Sequence, residues 1–143
     1  MRKVFLRHAT VIIGCALLTA CVKQDPIGRC SPPDSDTKTL VFPGGMPAIL
    51  LRSFRQYVGD IAAPGENFDT TDVVRVGRNR RVIFVWNRGA EYVIATEQGG
   101  IVYNNPVFLY RIDPQNSAAR LESEKVTFPA SVCAVSRRLL GAR

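Results

Sequence analysis

The strongest constraint on the fold is a pair of β-rich runs that flank Asn87-Arg88-Gly89 in "RRVIFVWNRGAEYVIATEQGG", residues 80–100. Two such runs around a short glycine-containing connection predict a β-hairpin. Both faces of residues 82–86 are apolar, whereas a strand with one wet face would alternate apolar and polar residues. We therefore expect this strand to be central, with a helix on one face and more chain on the other.

The loop length sets the register of this hairpin. A two-residue loop at Arg88-Gly89 pairs Val85 with Tyr92 and Arg80 with Glu97. A three-residue loop with the glycine in a bulge shifts every pair by one residue, and apolar residues still face apolar ones. The sequence leaves both alternatives open.

Residues 43–60, "PGGMPAILLRSFRQYVGD", predict a turn followed by a helix, because Pro47 suits the first helical position and Gly59 suits a C-terminal cap. Apolar residues recur at helical spacing and form a core stripe. They are Leu50, Leu51, Phe54, Tyr57 and Val58. Residues 59–72 are rich in turn formers and predict a loop.

Further strands are predicted at 101–103, 106–112 and 131–136, and the last of these carries Cys133. Residues 116–128 fit either a short helix capped by Ser117 or a polar edge strand. Together these elements predict an α+β fold, an antiparallel sheet of about five or six strands with one main helix. We expect a single domain over 38–137, which is enough chain for one core, and a basic tail over 138–143.

The N-terminal segment has the layout of a secretory signal peptide over residues 1–20. Arg2, Lys3 and Arg7 precede an apolar run over 9–18, and small residues follow it. A run of about ten residues is too short to cross a bilayer, which needs roughly 20 residues as a helix. The run therefore predicts a cleaved leader.

Leu18-Thr19-Ala20-Cys21 resembles the lipobox of bacterial lipoproteins, a resemblance that covers about 21 of the 143 residues. It implies cleavage before Cys21 and a mature chain that begins at an S-diacylglyceryl, N-acylated cysteine. Two or three acyl chains would anchor the protein firmly in a membrane. Val22 stands where aspartate would favour inner-membrane retention, which favours the outer membrane, facing the periplasm. The alternative is an ordinary signal peptide with a chance cysteine.

Removal of residues 1–20 changes the charge and the available chemistry. Three of the 19 Lys plus Arg leave, so 16 remain against 12 Asp plus Glu, a formal balance of +4. This modest excess is compatible with anionic lipid or glycan and requires neither, and we expect no nucleic-acid partner. The only histidine, His8, also leaves, which excludes histidine-based catalytic triads and zinc sites from the mature chain.

Cleavage and acylation leave two cysteines, Cys30 and Cys133, which we expect to form a disulfide in an oxidising compartment. The alternatives are free thiols or thiols linked to a partner. Residues 21–37 are polar and proline-bearing and predict a tether. Only the eight residues of 22–29 separate the anchor from Cys30, a reach of at most about 29 Å.

The acidic residues show no pattern typical of catalysis or metal binding. Glu91 and Glu97 are six residues apart on one strand, which is about 20 Å and too far for the paired carboxylates of a glycosidase. Glu66, Asp69 and Asp72 lie closer together in a loop, where acids usually form turns. We predict no catalytic residue, no metal site and no cofactor.

An arginine cluster offers two interpretations. It comprises Arg75, Arg78, Arg80, Arg81 and Arg88. Arg78, Arg80 and Arg81 are candidate ligands for a phosphate, a lipid headgroup or an acidic surface. Alternatively, the arginines lie at strand ends and pair with acids such as Glu97. The aromatic residues are predicted to belong to the core rather than to a recognition patch: Trp86, Tyr92, Tyr103, Phe108 and Tyr110.

These patterns favour a non-enzymatic, lipid-anchored envelope lipoprotein that docks or helps to assemble another envelope protein. The alternative is a small-ligand or glycan-binding module, or a hydrolase inhibitor at the membrane surface, that uses the arginine-rich hairpin. A third hypothesis is a histidine-free hydrolase built on Glu66, Asp69 and Asp72.

Overall fold

A five-stranded antiparallel sheet lies between two helices in the computed structural model, which describes residues 30–71 and 78–141. The strands neighbour one another in chain order, as in a meander. The elements are β1 (Lys38–Leu40), α1 (Ala48–Val58), β2 (Arg80–Arg88), β3 (Glu91–Gln98), β4 (Asn105–Asp113), β5 (Ala118–Thr127), a 3₁₀ turn (Pro129–Ser131) and α2 (Val132–Gly141). Within the described ranges, neither helix has the length and apolarity needed to cross a membrane.

The predicted hairpin is present, but its register differs from both alternatives. Arg88 pairs with Glu91, so the loop is Gly89-Ala90. Gly89 adopts a positive φ of 58° at the first loop position, a conformation that glycine tolerates best. The Asn87 side-chain amide donates to the Gly89 carbonyl at 2.8 Å and to the Glu91 carbonyl at 3.1 Å, and thereby supports this loop.

Strand β2 of the hairpin also contains a β-bulge, which neither of the two loop lengths predicts. Val82 pairs with Thr96 and Phe84 with Ala95, so Ile83 lies in a bulge. The Gly89-Ala90 loop and this bulge together place Arg81, rather than Arg80, opposite Glu97. A bulge changes which side chains share a face, and here Val82 and Val85 both face the same core.

The predicted main helix is confirmed as α1, which packs on one face of the sheet. Pro47 is the residue before the helix rather than its first residue, and Gly59 caps the end by donating its N–H to the Arg55 carbonyl at 2.9 Å. Leu50 and Phe54 are fully buried against the sheet, where Phe54 meets the ring of Phe108 edge to face at 5.6 Å. Leu51 and Val58 are partly buried against the same core. The predicted stripe is therefore confirmed except at Tyr57, which is 54% exposed.

The opposite face of the sheet is covered by α2, so the prediction of a last strand at 131–136 was wrong. Val132, Ser136 and Leu140 are four residues apart and all buried, which is a helical spacing. Pro129 in the preceding 3₁₀ turn favours the start of a helix. The helix continues to Gly141, so the segment expected as a basic tail from 138 contributes Leu140 to the core.

The predictions for residues 101–103 and 116–128 have different outcomes. Residues 101–103 form a bend rather than a strand, and pairing resumes only at the bridge between Gln98 and Asn104. Of the two alternatives for 116–128, the polar edge strand is the one observed, as β5. Ser117 takes a positive φ of 44° in the turn before it, which is not a helix cap.

Candidate functional site

The disulfide between Cys30 and Cys133 is present, with a Cα–Cα distance of 5.5 Å. Cys133 lies in the first turn of α2, which follows directly on the end of β5. From Cys30 onward the chain runs beside α2, where the Arg137 guanidinium donates to the Ser31 carbonyl at 3.2 Å. It then reaches Asp34, which pairs with Arg88 at 3.5 Å. Residues 30–37, expected to belong to the tether, thus lie against the domain.

This disulfide marks one end of the sheet, which we call the disulfide end. Antiparallel pairing brings together there the start of β2, the end of β3, the start of β4 and the end of β5, because Arg80 pairs with Gln98 and Asn105 with Thr127. The loop over 99–104 and the segment after β5 both leave the sheet at this point. Cys30, the first described residue, therefore lies at the disulfide end.

A buried polar cluster stabilises the disulfide end. Glu97 is only 6% exposed, and its carboxylate accepts hydrogen bonds from the Arg81 Nε and the Tyr103 hydroxyl. Arg81 also donates to the Glu66 carbonyl at 3.0 Å and lies over the ring of Phe68, 4.6 Å from its centroid. The cluster joins the loop over 59–71, strands β2 and β3, and the loop after β3.

The contacts of this cluster are those of a structural clamp. Burial, followed by the hydrogen bond to Glu97, raises the pKa of Tyr103 to about 12. Tyr103 is therefore a neutral donor at physiological pH. Each carboxylate oxygen of Glu97 accepts a hydrogen bond from a side chain of the same domain.

Two of the three candidate anion ligands, Arg78 and Arg81, meet at Glu66 of the same domain. Arg78 pairs with Asp60 at 3.0 Å and with Glu66 at 3.1 Å, and the hydrogen bond to Asp60 raises the pKa of Arg78. Arg81 is engaged by Glu97. Arg80 lies within electrostatic range of Tyr57 on α1. The predicted pairing of hairpin arginines with acids is thus observed for two of the three.

Two acidic residues of the loop over 59–71 support turns. Glu66 accepts a hydrogen bond from the Ala63 N–H at 2.9 Å, and Asp69 accepts one from the Thr71 N–H at 2.8 Å, so both acids support turns. Across residues 30–71 and 78–141, no group of three potential ligands is placed to hold a metal ion. Cys21, Asp72 and Arg75 lie outside the described residues.

Most of the predicted core aromatics are buried. Trp86, Phe108 and Tyr110 are at most 1% exposed, and Phe84 stacks on Trp86 with centroids 4.3 Å apart. Tyr103 belongs to the clamp and is partly exposed. Sequence reasoning missed the exposed apolar residues beside it, because "IVY" after two glycines has the composition of a strand.

The outer edge of β5 is the longest edge that the described residues leave unpaired. This strand pairs with β4 over nine positions, from Ala118 opposite Asp113 to Thr127 opposite Asn105, and ends the strand order of the sheet. A bulge at Glu122 interrupts it, and a regular stretch over 123–127 follows. Val126 in that stretch is 67% exposed.

A shallow depression at the opposite end of the sheet is lined by Arg111, Asp113, Asn116 and Arg120. Its charges are matched within the domain, since Arg111 pairs with Glu91 at 2.8 Å and Arg120 with Glu122 at 2.8 Å. It therefore presents no concentrated charge to a ligand.

Comparison with known proteins finds no matching family model, no matching curated protein and no matching solved structure.

Proposed function

We propose that this protein is a non-enzymatic envelope lipoprotein, anchored through acylated Cys21, that docks an extended segment of another envelope protein along the edge of β5. The observation that carries the docking proposal is the ten-residue β5 strand at the margin of the sheet. The lipobox-like leader supports the anchor, and the disulfide supports an oxidising compartment outside the cytoplasm.

An unpaired edge strand presents backbone N–H and C=O groups that can pair with another chain. In β-strand addition, backbone hydrogen bonds supply affinity and alternate side chains supply specificity. The opposite edge of the sheet offers much less, because β1 has only three residues. The β5 edge is therefore the better template for a sixth strand.

The side chains of β5 indicate what kind of segment would fit. Lys125 and Glu124 are exposed on neighbouring positions, and exposed Val126 follows them. Glu124 already accepts a hydrogen bond from the Tyr57 hydroxyl at 2.7 Å, which leaves Lys125 as the charge to be matched. A segment with an acidic residue near Lys125 and an apolar one near Val126 would complement this stretch.

The disulfide and the clamp support a docking role because they hold the domain as one body close to its anchor. The eight residues of 22–29 would keep Cys30 within about 29 Å of the acylated cysteine. The arginine-based alternative loses support, because Arg78 and Arg81 are ion-paired with acids of the same domain.

Site-specific photo-cross-linking in living cells tests the docking proposal. A benzophenone side chain at Val126 should trap one envelope protein, and the same group at Arg55, an exposed position on the outer side of α1, should not. Equal yields at both positions, or no protein trapped at Val126, would contradict docking at the β5 edge.

A second variant tests whether the cross-linked protein binds the β5 edge or only lies near it. Lys125→Glu reverses the charge on the docking edge and should lower the cross-linking yield at Val126 severalfold, because it repels the complementary acidic residue. Arg55→Glu makes the same charge change away from the edge and should leave the yield unchanged. An unchanged yield in the Lys125→Glu variant would argue against strand addition at this site.

A further inference from the structure

Exposed apolar side chains cluster at the disulfide end. Ile101 is 85% exposed, Val102 is 60% exposed and Phe128 is 64% exposed, and Tyr103 is partly exposed beside them. We call these four residues the apolar patch. They belong together because the loop over 99–104 and the segment after β5 leave the sheet side by side, next to the pair Asn105 and Thr127.

The loop that carries three of the four patch residues is tied to the rest of the domain at both of its ends. The Tyr103 hydroxyl bonds to buried Glu97, which ties the loop to β3. At the start of the loop, Gly99 lies so close to the backbone of residues 69 and 70 that a Cβ there would come within 2.5 Å of it. A loop anchored at both ends can present apolar side chains to another surface with little loss of conformational entropy on binding.

The first described residue, Cys30, also lies at this end. Cys30 is joined to the start of α2, directly after β5, and the residues from 31 onward run away from the disulfide end beside α2. With the proposed anchor at Cys21, this is the end of the domain that is joined to the bilayer through the eight residues of 22–29.

Charges next to the apolar patch are largely matched within the protein. Arg78 pairs with Asp60 and Glu66, and Arg81 pairs with Glu97. Matched charges neither repel an anionic surface strongly nor require a highly charged partner. An apolar surface with a polar surround and an aromatic ring at its margin has the composition of a membrane-interface contact.

We propose that the apolar patch inserts shallowly into the interfacial region of the bilayer that carries the lipid anchor, so that the strands stand away from the membrane. The proposal rests on the proposed function for the anchor, which places the membrane at this end. In this orientation β5 runs away from the bilayer from Thr127 toward Ala118.

Tryptophan fluorescence with the full chain purified from membranes tests this contact. The protein is mixed with vesicles of phosphatidylethanolamine and a minority of phosphatidylglycerol, with and without brominated acyl chains. Trp86 is fully buried and gives a constant background. Val102→Trp should shift its emission to the blue on binding vesicles and lose most of its added signal in brominated ones.

The matched control is Gln115→Trp, which lies in the turn between β4 and β5 at the opposite end of the sheet. Its emission should remain that of an exposed tryptophan and should be unaffected by bromination. Both positions are exposed, so neither change should alter the unfolding midpoint. Equal quenching of the two variants, or no quenching of Val102→Trp at saturating lipid, would overturn the proposal.

Whether the protein is acylated is measured separately, from the mass of its N-terminal peptide. Quenching of Val102→Trp in a protein without acyl groups would uphold the membrane contact and contradict the proposed anchor. An acylated protein whose Val102→Trp signal is unchanged by brominated lipid would uphold the anchor and contradict the contact, leaving a protein partner as the occupant of the apolar patch.

Discussion

Tyr103 donates its hydroxyl hydrogen to the buried carboxylate of Glu97, and this bond ties the loop after β3 to the strand before it. Glu97 in turn binds Arg81 on β2. The disulfide end of the domain therefore depends on one carboxylate that connects two strands and two loops. The contribution of the Tyr103–Glu97 bond to stability can be measured against a second, exposed pair, Tyr57 and Glu124.

Tyr103→Phe should lower the free energy of unfolding by about 1 to 2 kcal/mol, because it removes a hydrogen bond to a buried charged acceptor. The control is Tyr57→Phe, which removes the exposed bond to Glu124 and should change stability by less than about 0.5 kcal/mol. Urea unfolding measures both. Equal losses in the two variants would show that the Glu97 cluster is not a clamp.

Stability should fall at alkaline pH because of the same tyrosine. The pKa of Tyr103 is raised to about 12 in the folded protein, whereas an unfolded tyrosine titrates near pH 10. Between about pH 10 and about pH 12 the folded state therefore holds more protons than the unfolded state, and the free energy of unfolding decreases as pH rises. The stabilisation is complete below this range.

Urea titrations across this pH range, made with wild type and Tyr103→Phe, isolate the contribution of Tyr103 from those of other titrating groups. The decline with pH should be shallower in the variant. Parallel curves would mean that the Tyr103 hydroxyl titrates alike in the folded and unfolded states.

Replacement of Cys30 and Cys133 together by serine should destabilise the domain by about 3 kcal/mol, since the bridge closes a loop with a sequence separation of 103 and disulfides typically contribute ~2–4 kcal/mol. Reduction of the wild-type protein should give the same loss. A double variant as stable as wild type would contradict a role for the bridge in holding the two segments.

Gly99→Ala should destabilise the protein by about 1 to 3 kcal/mol, because the added methyl group would meet the Asp69 carbonyl oxygen and the Thr70 Cα at 2.5 Å, and both are backbone atoms. Gly44→Ala is the control, since nothing lies within 4 Å of its added Cβ. Thermal unfolding compares them. Similar midpoints for the two variants would show that the loop over 59–71 does not pack against Gly99 as described.

The parts of the fold that the sequence predicted are those set by local composition. The hairpin and α1 follow from β-rich runs around a glycine and from an apolar stripe at helical spacing. The hairpin register did not follow, because it depends on Gly89 taking the positive φ and on the Asn87 amide bonding across the loop. The bulge at Ile83 has no local signature.

The error at α2 has a similar cause. Residues 131–136 are short, apolar and partly β-branched, and their helical period becomes visible only when Leu140 is included with Val132 and Ser136. Assigning the segment from 138 to a tail removed that residue from the pattern. Burial of this apolar face against the sheet stabilises the helix over a strand.

The candidate site was predictable only in part. Pairing of arginines with acids could be anticipated from charge, but Arg81 rather than Arg80 meets Glu97 because the loop position and the bulge together set the register. The exposed apolar patch could not be anticipated, since Ile101 and Val102 have the composition of a buried strand. Whether such residues are exposed depends on where β3 ends and β4 begins.

The lipid anchor at Cys21 is the central claim, and the mass of the N-terminal peptide of the protein extracted from its native membrane tests it most directly. We predict a peptide that begins at Cys21 and carries a diacylglyceryl group with an N-acyl chain, and a Cys21→Ser variant that is released from the membrane. An unmodified Cys21, or cleavage at another residue, would contradict the account.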